Sequence, residues 1–129
     1  MEITLGAILT SPLTRAKETA EIVARGLKVQ DKMEFTDHLT PSGSMEKLVE
    51  KINFLRPVPD SVMLVGHEPY LSGFISLLCV GGPGLEVKMK KGALCRLEVE
   101  HLTCAQCATL EWLLQPRVIG LETSKRKEA

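Results

Sequence analysis

Apolar residues recur along this chain in two rhythms. "AILT", Ala7 to Thr10, is a short unbroken apolar cluster and reads as the end of a buried strand. Ser11 then stands as a helix N-cap and Pro12 as a first helical residue. Ala16, Ala20, Val23 and Leu27 fall on one helical face, with Lys17, Glu18, Glu21 and Arg25 elsewhere, and Gly26 stands where the helix should stop. "KMEFTDHL" holds a short strand and "TPSGS" is a turn signal. Met45, Leu48, Val49, Ile52 and Leu55 repeat at helical spacing until Pro57 and Pro59 end the pattern. "SVMLVG", Ser61 to Gly66, lacks polar alternation and predicts a strand buried on both faces. A helix follows from about Tyr70 to Cys79, then the loop "GGPG" and the segment "EVKMK". "ALCRLEVEHL" and "ATLEWLLQ" flank a short turn and predict an antiparallel hairpin.

Strands alternating with helices and closing on a strand pair define an α/β class, its sheet mainly parallel with an antiparallel edge. The 129 residues suit one domain, predicted over residues 1–119, with the polar stretch 120–129 as a solvated tail. A chain this long hides roughly two-thirds of its unfolded surface, so a core forms without disulfides or metal. Hydrophobic residues at 44% and charged residues at 25% are those of an ordinary soluble protein. A formal net charge of zero argues against nucleic-acid or membrane-surface binding through bulk charge. No apolar run reaches the roughly 18 residues of a membrane span, and the first residues lack the pattern of a signal peptide. The four cysteines are then read as reduced thiols, and the protein as cytoplasmic.

Two predicted strand ends carry unusual residues. The first runs into Ser11, Pro12 and Arg15; the second runs into Gly66, His67 and Pro69. Arg15 sits in the first turn of a helix, where the dipole favours acidic side chains. In open α/β sheets ligands gather at the carboxyl ends of the strands, and helix starts offer free N–H groups to anions. An arginine, a histidine and two helix starts on one edge would make a phosphate pocket. Each signal also has a plain reading: Arg15 swings out to solvent, His67 bonds a loop backbone, and Gly66 permits a tight turn.

Taken together, "ILTSPLTRAKETAEIVARGL" and "VMLVGHEPYLSGFISLLC" resemble two core motifs of the histidine phosphatase superfamily, the phosphoglycerate mutase-like proteins. More narrowly they resemble the SixA-type phosphohistidine phosphatases. "LTPSG", "KKGALCRLEVE" and "LEWLLQPRVI" are similar to that group in the same order, so the resemblance runs from Ile8 to Ile119. It implies a three-layer α/β/α fold and a hydrolase that acts on phosphohistidine or a related phosphorylated molecule, without a metal or other cofactor. In that family a histidine in an Arg-His-Gly motif takes the phosphoryl group and water releases it. By match, Arg15 corresponds to a phosphate-clamping arginine and His67 to the second pocket histidine. A guanidinium grips two oxygens at once, and an imidazolium donates strongly to a dianion.

The Arg-His-Gly motif is missing. None of the three histidines, His38, His67 and His101, follows an arginine. Three explanations stand: a fragment or late start, which is favoured; a natural remnant that binds phosphate or phosphohistidine without turnover; or a partner chain supplying the motif. The family's first strand is central to its sheet, so a chain without it should leave strand edges bare.

Other residues compete for chemistry. Cys104 and Cys107 form a C-x-x-C, read as an incidental turn, half a zinc site with Cys95 and His101 as its further ligands, or a redox pair. His38 and Asp37 lie where some relatives place a general acid, and otherwise are loop residues. Trp112 is read as core or sheet surface, and His101 has no assigned role.

Overall fold

In the computed structural model, which describes residues 5–114, the first strand, β1, is Ala7–Thr10, and all four of its residues are buried. It is flanked on both sides. β2 (Met33–Phe35) pairs parallel with it from Ile8↔Met33 to Thr10↔Phe35. β3 (Val62–Val65) pairs parallel on the other side from Ala7↔Val62 to Thr10↔Val65. The sheet order is therefore β2-β1-β3. Parallel strands need crossovers, and the helices supply them. The elements follow the predicted order: β1, α1 (Thr14–Gly26), β2, α2 (Met45–Asn53), β3, α3 (Tyr70–Val80), β4 (Leu94–Val99) and β5 (Ala108–Leu114).

The α/β class stands, with one adjustment. β4 and β5 pair antiparallel as a sheet of their own rather than as the edge of the parallel one among the described residues. The chain divides into two compact units, residues 1–71 and 72–129. The predicted tail, residues 120–129, lies outside the described residues.

In the first unit α1 lies on the sheet through small side chains. Ala16, Ala20 and Ala24 repeat every four residues, are all buried, and join Leu5, Ile8 and Val65 in one core cluster. Alanine at each contact lets the helix backbone approach the strands closely. Ile8 is fully buried, and removing a side chain of that size from water contributes about 2–3 kcal/mol. The prediction for β3 needs correction. Val65 is buried, but Val62, Met63 and Leu64 are only half-buried. β3 pairs with β1 alone among the described residues, and a strand with one neighbour is covered less than a central one. The strand buried on both faces is β1.

The start of α1 also differs from the reading of Ser11 and Pro12 as cap and first residue. The helix begins at Thr14, its cap position is Leu13, and no side chain caps it. The Ser11 hydroxyl accepts the Leu13 N–H at 3.2 Å, which forms a turn that precedes the helix. At the other end Gly26 is the last helical residue, but the left-handed residue is Lys28, with φ of 58°. Lys28 N–H donates to the Arg25 carbonyl at 3.2 Å and Val29 N–H to the Ala24 carbonyl at 2.8 Å, which is a Schellman ending. A lysine there bears a steric cost that glycine avoids. Lys28→Gly is expected to raise stability by about 0.5–1 kcal/mol, read as a higher urea midpoint at unchanged slope.

α2 starts as the sequence suggests: Ser44 is its N-cap, and its hydroxyl accepts the Lys47 N–H at 3.2 Å. Leu48 and Val49 are its buried residues.

In the second unit Ser76, buried on α3, organises the glycine-rich loop. Its hydroxyl donates to the Gly82 carbonyl at 2.6 Å and accepts the Leu85 N–H at 2.9 Å. Residues 85–90 alternate half-buried and exposed without forming a strand. The hairpin carries a register shift between Arg96 and Leu97, and Arg96 pairs across it with half-buried Trp112.

Candidate oxyanion site

The three parallel strands release the chain at one rim, and the chemistry-bearing residues of the first unit follow those ends. Ser11 follows β1, Thr36 to His38 follow β2, and Gly66 and His67 follow β3. Backbone hydrogen bonds knit the rim together. Ser11 N–H donates to the Val65 carbonyl and Thr36 N–H to the Thr10 carbonyl, each at 2.9 Å. A 3-10 turn at Asp37–Leu39 carries the chain back over the rim. A methyl group on Gly66 would stand 3.1 Å from the Leu39 carbonyl oxygen, a tight contact that a glycine avoids where the turn approaches β3.

The central contact joins Ser11 to His67. Nε2 of His67 lies 2.9 Å from Oγ of Ser11, although the two residues are 56 apart in sequence. Ser11 is fully buried and His67 is half-buried. A half-buried histidine thus meets a fully buried hydroxyl. Ser11 was read from sequence as a cap and as a strand-end residue, but not as a partner of His67. Its partner lies across the sheet, beyond the reach of any local pattern. The one signal available was a serine at the carboxyl end of a buried strand.

Arg15 is the second residue of α1 and is exposed. Among the described residues its guanidinium has no hydrogen bond or ion pair. The first turn of α1 contains no acidic residue. An unpaired cation therefore stands beside the positive end of a helix dipole, four residues after the serine that holds His67. Leu71 N–H donates to the His67 carbonyl at 2.9 Å, which fixes His67 just ahead of α3. Tyr70, the first residue of α3, is buried, and burial pushes its phenol up to about 12.

The remaining candidates divide. Asp37 and His38 share the rim; Asp37 is exposed and His38 half-buried, and the His38 backbone N–H donates to Thr36 Oγ1 at 3.2 Å. His101 is exposed in the hairpin loop. In the second unit Cys104 is exposed in that loop, while Cys107 donates its thiol to the Thr103 carbonyl at 3.5 Å and its N–H to the Leu78 carbonyl at 2.8 Å. Among the described residues no three metal-ligating side chains gather, so nothing there completes the C-x-x-C as a zinc site. Burial pushes the Cys95 thiol up to about 11, with Cys79 nearby adding to it, and burial raises Cys79 as well. Those thiols are poor nucleophiles. An open groove in the second unit is lined by Leu85, Val87, Leu110 and Leu113 together with Glu86 and Lys88. No described helix is long and apolar enough to cross a membrane.

No family model matches the chain. An uncharacterized protein of Picosynechococcus sp. is 33% identical over 88 residues, which make up 67% of this chain and 53% of that protein. The chain thus spans about half the length of the curated relative it matches. A solved structure of the protein histidine phosphatase SixA complexed with tungstate has a TM-score of 0.75 and 23% identity, over 91% of this chain and 72% of that one. The chain has the α/β fold of that phosphatase.

Proposed function

We propose that the rim is an oxyanion site and that the protein is a phosphatase of the phosphohistidine phosphatase type. It hydrolyses phosphohistidine or a related phosphorylated substrate through a phosphohistidine intermediate. The observation that carries this reading is the 2.9 Å contact between His67 and Ser11 at adjoining strand ends, with α1 starting three residues after Ser11. A similar fold solved with tungstate, itself a tetrahedral oxyanion, supports the same ligand chemistry.

The roles follow from the charge of phosphoryl transfer. Negative charge spreads over three equatorial oxygens, and catalysis rests on placing cations and N–H donors against them. Arg15 grips two oxygens in a forked pair of hydrogen bonds. His67 donates from its ring to a third, and the free N–H groups at the start of α1 add partial positive charge. With a nitrogen leaving group, protonation demands less of a strong acid than with an alkoxide, so neither Asp37 nor His38 is assigned one. The nucleophilic histidine is not among the residues of this sequence, since none of its histidines follows an arginine. That same observation favours a second reading, a non-catalytic module that binds phosphate or phosphohistidine.

Two measurements separate these. One is hydrolysis of a generic phosphate ester or phosphohistidine by this chain and by an N-terminally extended form carrying an Arg-His-Gly strand. The other is binding of inorganic phosphate by both. Turnover in the extended form alone is the expected result. Binding without turnover in either form selects the module, and neither binding nor turnover sinks both readings.

A further inference from the structure

We propose that Ser11 is a positioning residue for His67: its hydroxyl donates to Nε2 and holds the neutral ring with its proton on Nδ1. This deepens the oxyanion reading, and depends on it only for the effect on affinity.

The direction of the hydrogen bond follows from counting donors. The Leu13 N–H, which can only donate, already occupies one lone pair of Ser11 Oγ at 3.2 Å. The hydroxyl has one hydrogen to place, and Ser11 is fully buried. Among the described residues His67 Nε2, at 2.9 Å, is the acceptor within its reach. Were the imidazole to donate instead, the serine hydrogen would be buried without an acceptor, which costs about 1–3 kcal/mol. The ring nitrogen that carries the proton is set by the bond the other one makes. With Nε2 accepting, Nδ1–H is the donor left over, and it has no partner among the described residues. An oxyanion arriving at the rim then meets an N–H rather than a lone pair.

The serine is itself held. Its N–H is tied to the Val65 carbonyl at 2.9 Å, so the pairing of β1 with β3 fixes where Oγ stands. Its carbonyl accepts the Thr10 hydroxyl at 3.0 Å. The tautomer of His67 is thus written into the register of the sheet.

The test is a long-range ¹H–¹⁵N spectrum of histidine-labelled protein, recorded on the neutral ring. The parent is expected to show a protonated Nδ1 and a bare Nε2 for His67. Ser11→Ala should shift His67 toward the Nε2–H form that free histidine favours, while Ser11→Thr keeps the parent pattern. A parent ring with its proton on Nε2 overturns the proposal, and so does a Ser11→Ala ring identical to the parent. The parent spectrum decides even if Ser11→Ala does not fold. Titration with inorganic phosphate gives the functional arm. Affinity should fall about tenfold in Ser11→Ala, as for a lost hydrogen bond to a charged group, and hold in Ser11→Thr. Equal affinity in Ser11→Ala and parent overturns the positioning role. No phosphate binding by the parent itself would sink the oxyanion reading, and the spectrum would still report on Ser11.

Discussion

Arg15→Ala is expected to lose its response to phosphate while keeping its fold. The side chain is exposed and has no partner within the described protein, so truncating it removes little packing. A ligand that binds only the folded state stabilises by RT ln(1 + [L]/Kd), about 2.7 kcal/mol at a hundredfold excess over Kd. For a chain of this size that corresponds to roughly 10 °C of melting temperature. The parent should show such a shift in phosphate, and Arg15→Ala should show almost none. Arg15→Lys should fall between, because it keeps the charge and loses the planar fork. If phosphate protects Arg15→Ala as well as the parent, the anion sits elsewhere.

Gly43→Ala should give the largest loss of stability. Gly43 lies in the turn before α2, and its N–H donates to the Thr40 carbonyl at 2.8 Å. A methyl group at this position would run into the His38 carbonyl group and stand 2.8 Å from the Asp37 carbonyl oxygen. Those are backbone atoms, which cannot swing aside as a side chain does. The 3-10 turn at Asp37–Leu39 would have to move, and Leu39 is fully buried. Overpacking of this kind costs about 3 kcal/mol. Gly26→Ala is the matching control. Nothing lies within 4 Å of its added methyl, and it ends α1, so it should gain about 0.5–1 kcal/mol. Equal melting of Gly43→Ala and parent would mean that the turn is not packed as described.

The order of elements was legible because strands and helices here keep clean periods. The alanines of α1, the repeat from Met45 to Ile52 and the apolar run before Gly66 all state their type locally. What failed was whatever a distant partner decides. Ser11-Pro12 has the form of a helix start, yet the serine is spent on His67 across the sheet. The end of α1 at Gly26 was read correctly, but the left-handed residue that closes it is Lys28, with no glycine to announce it. The 3-10 turns are three residues long and leave no period to detect. β3 has the composition of a fully covered strand, but its burial depends on how many neighbours it has, which composition does not encode. Arg15 and His67 were proposed from strand ends and from a family resemblance; the contact of Ser11 with His67 needed the fold.

The contact between Ser11 and His67 spans 56 residues, and that separation has a kinetic meaning. Closing so long a segment costs chain entropy that is repaid only when β1 and β3 have paired. A chain with α1 and α2 formed but β1 and β3 unpaired would lack the contact of Ser11 with His67. Under the oxyanion reading, phosphate would therefore stabilise only the chain in which β1 and β3 have paired.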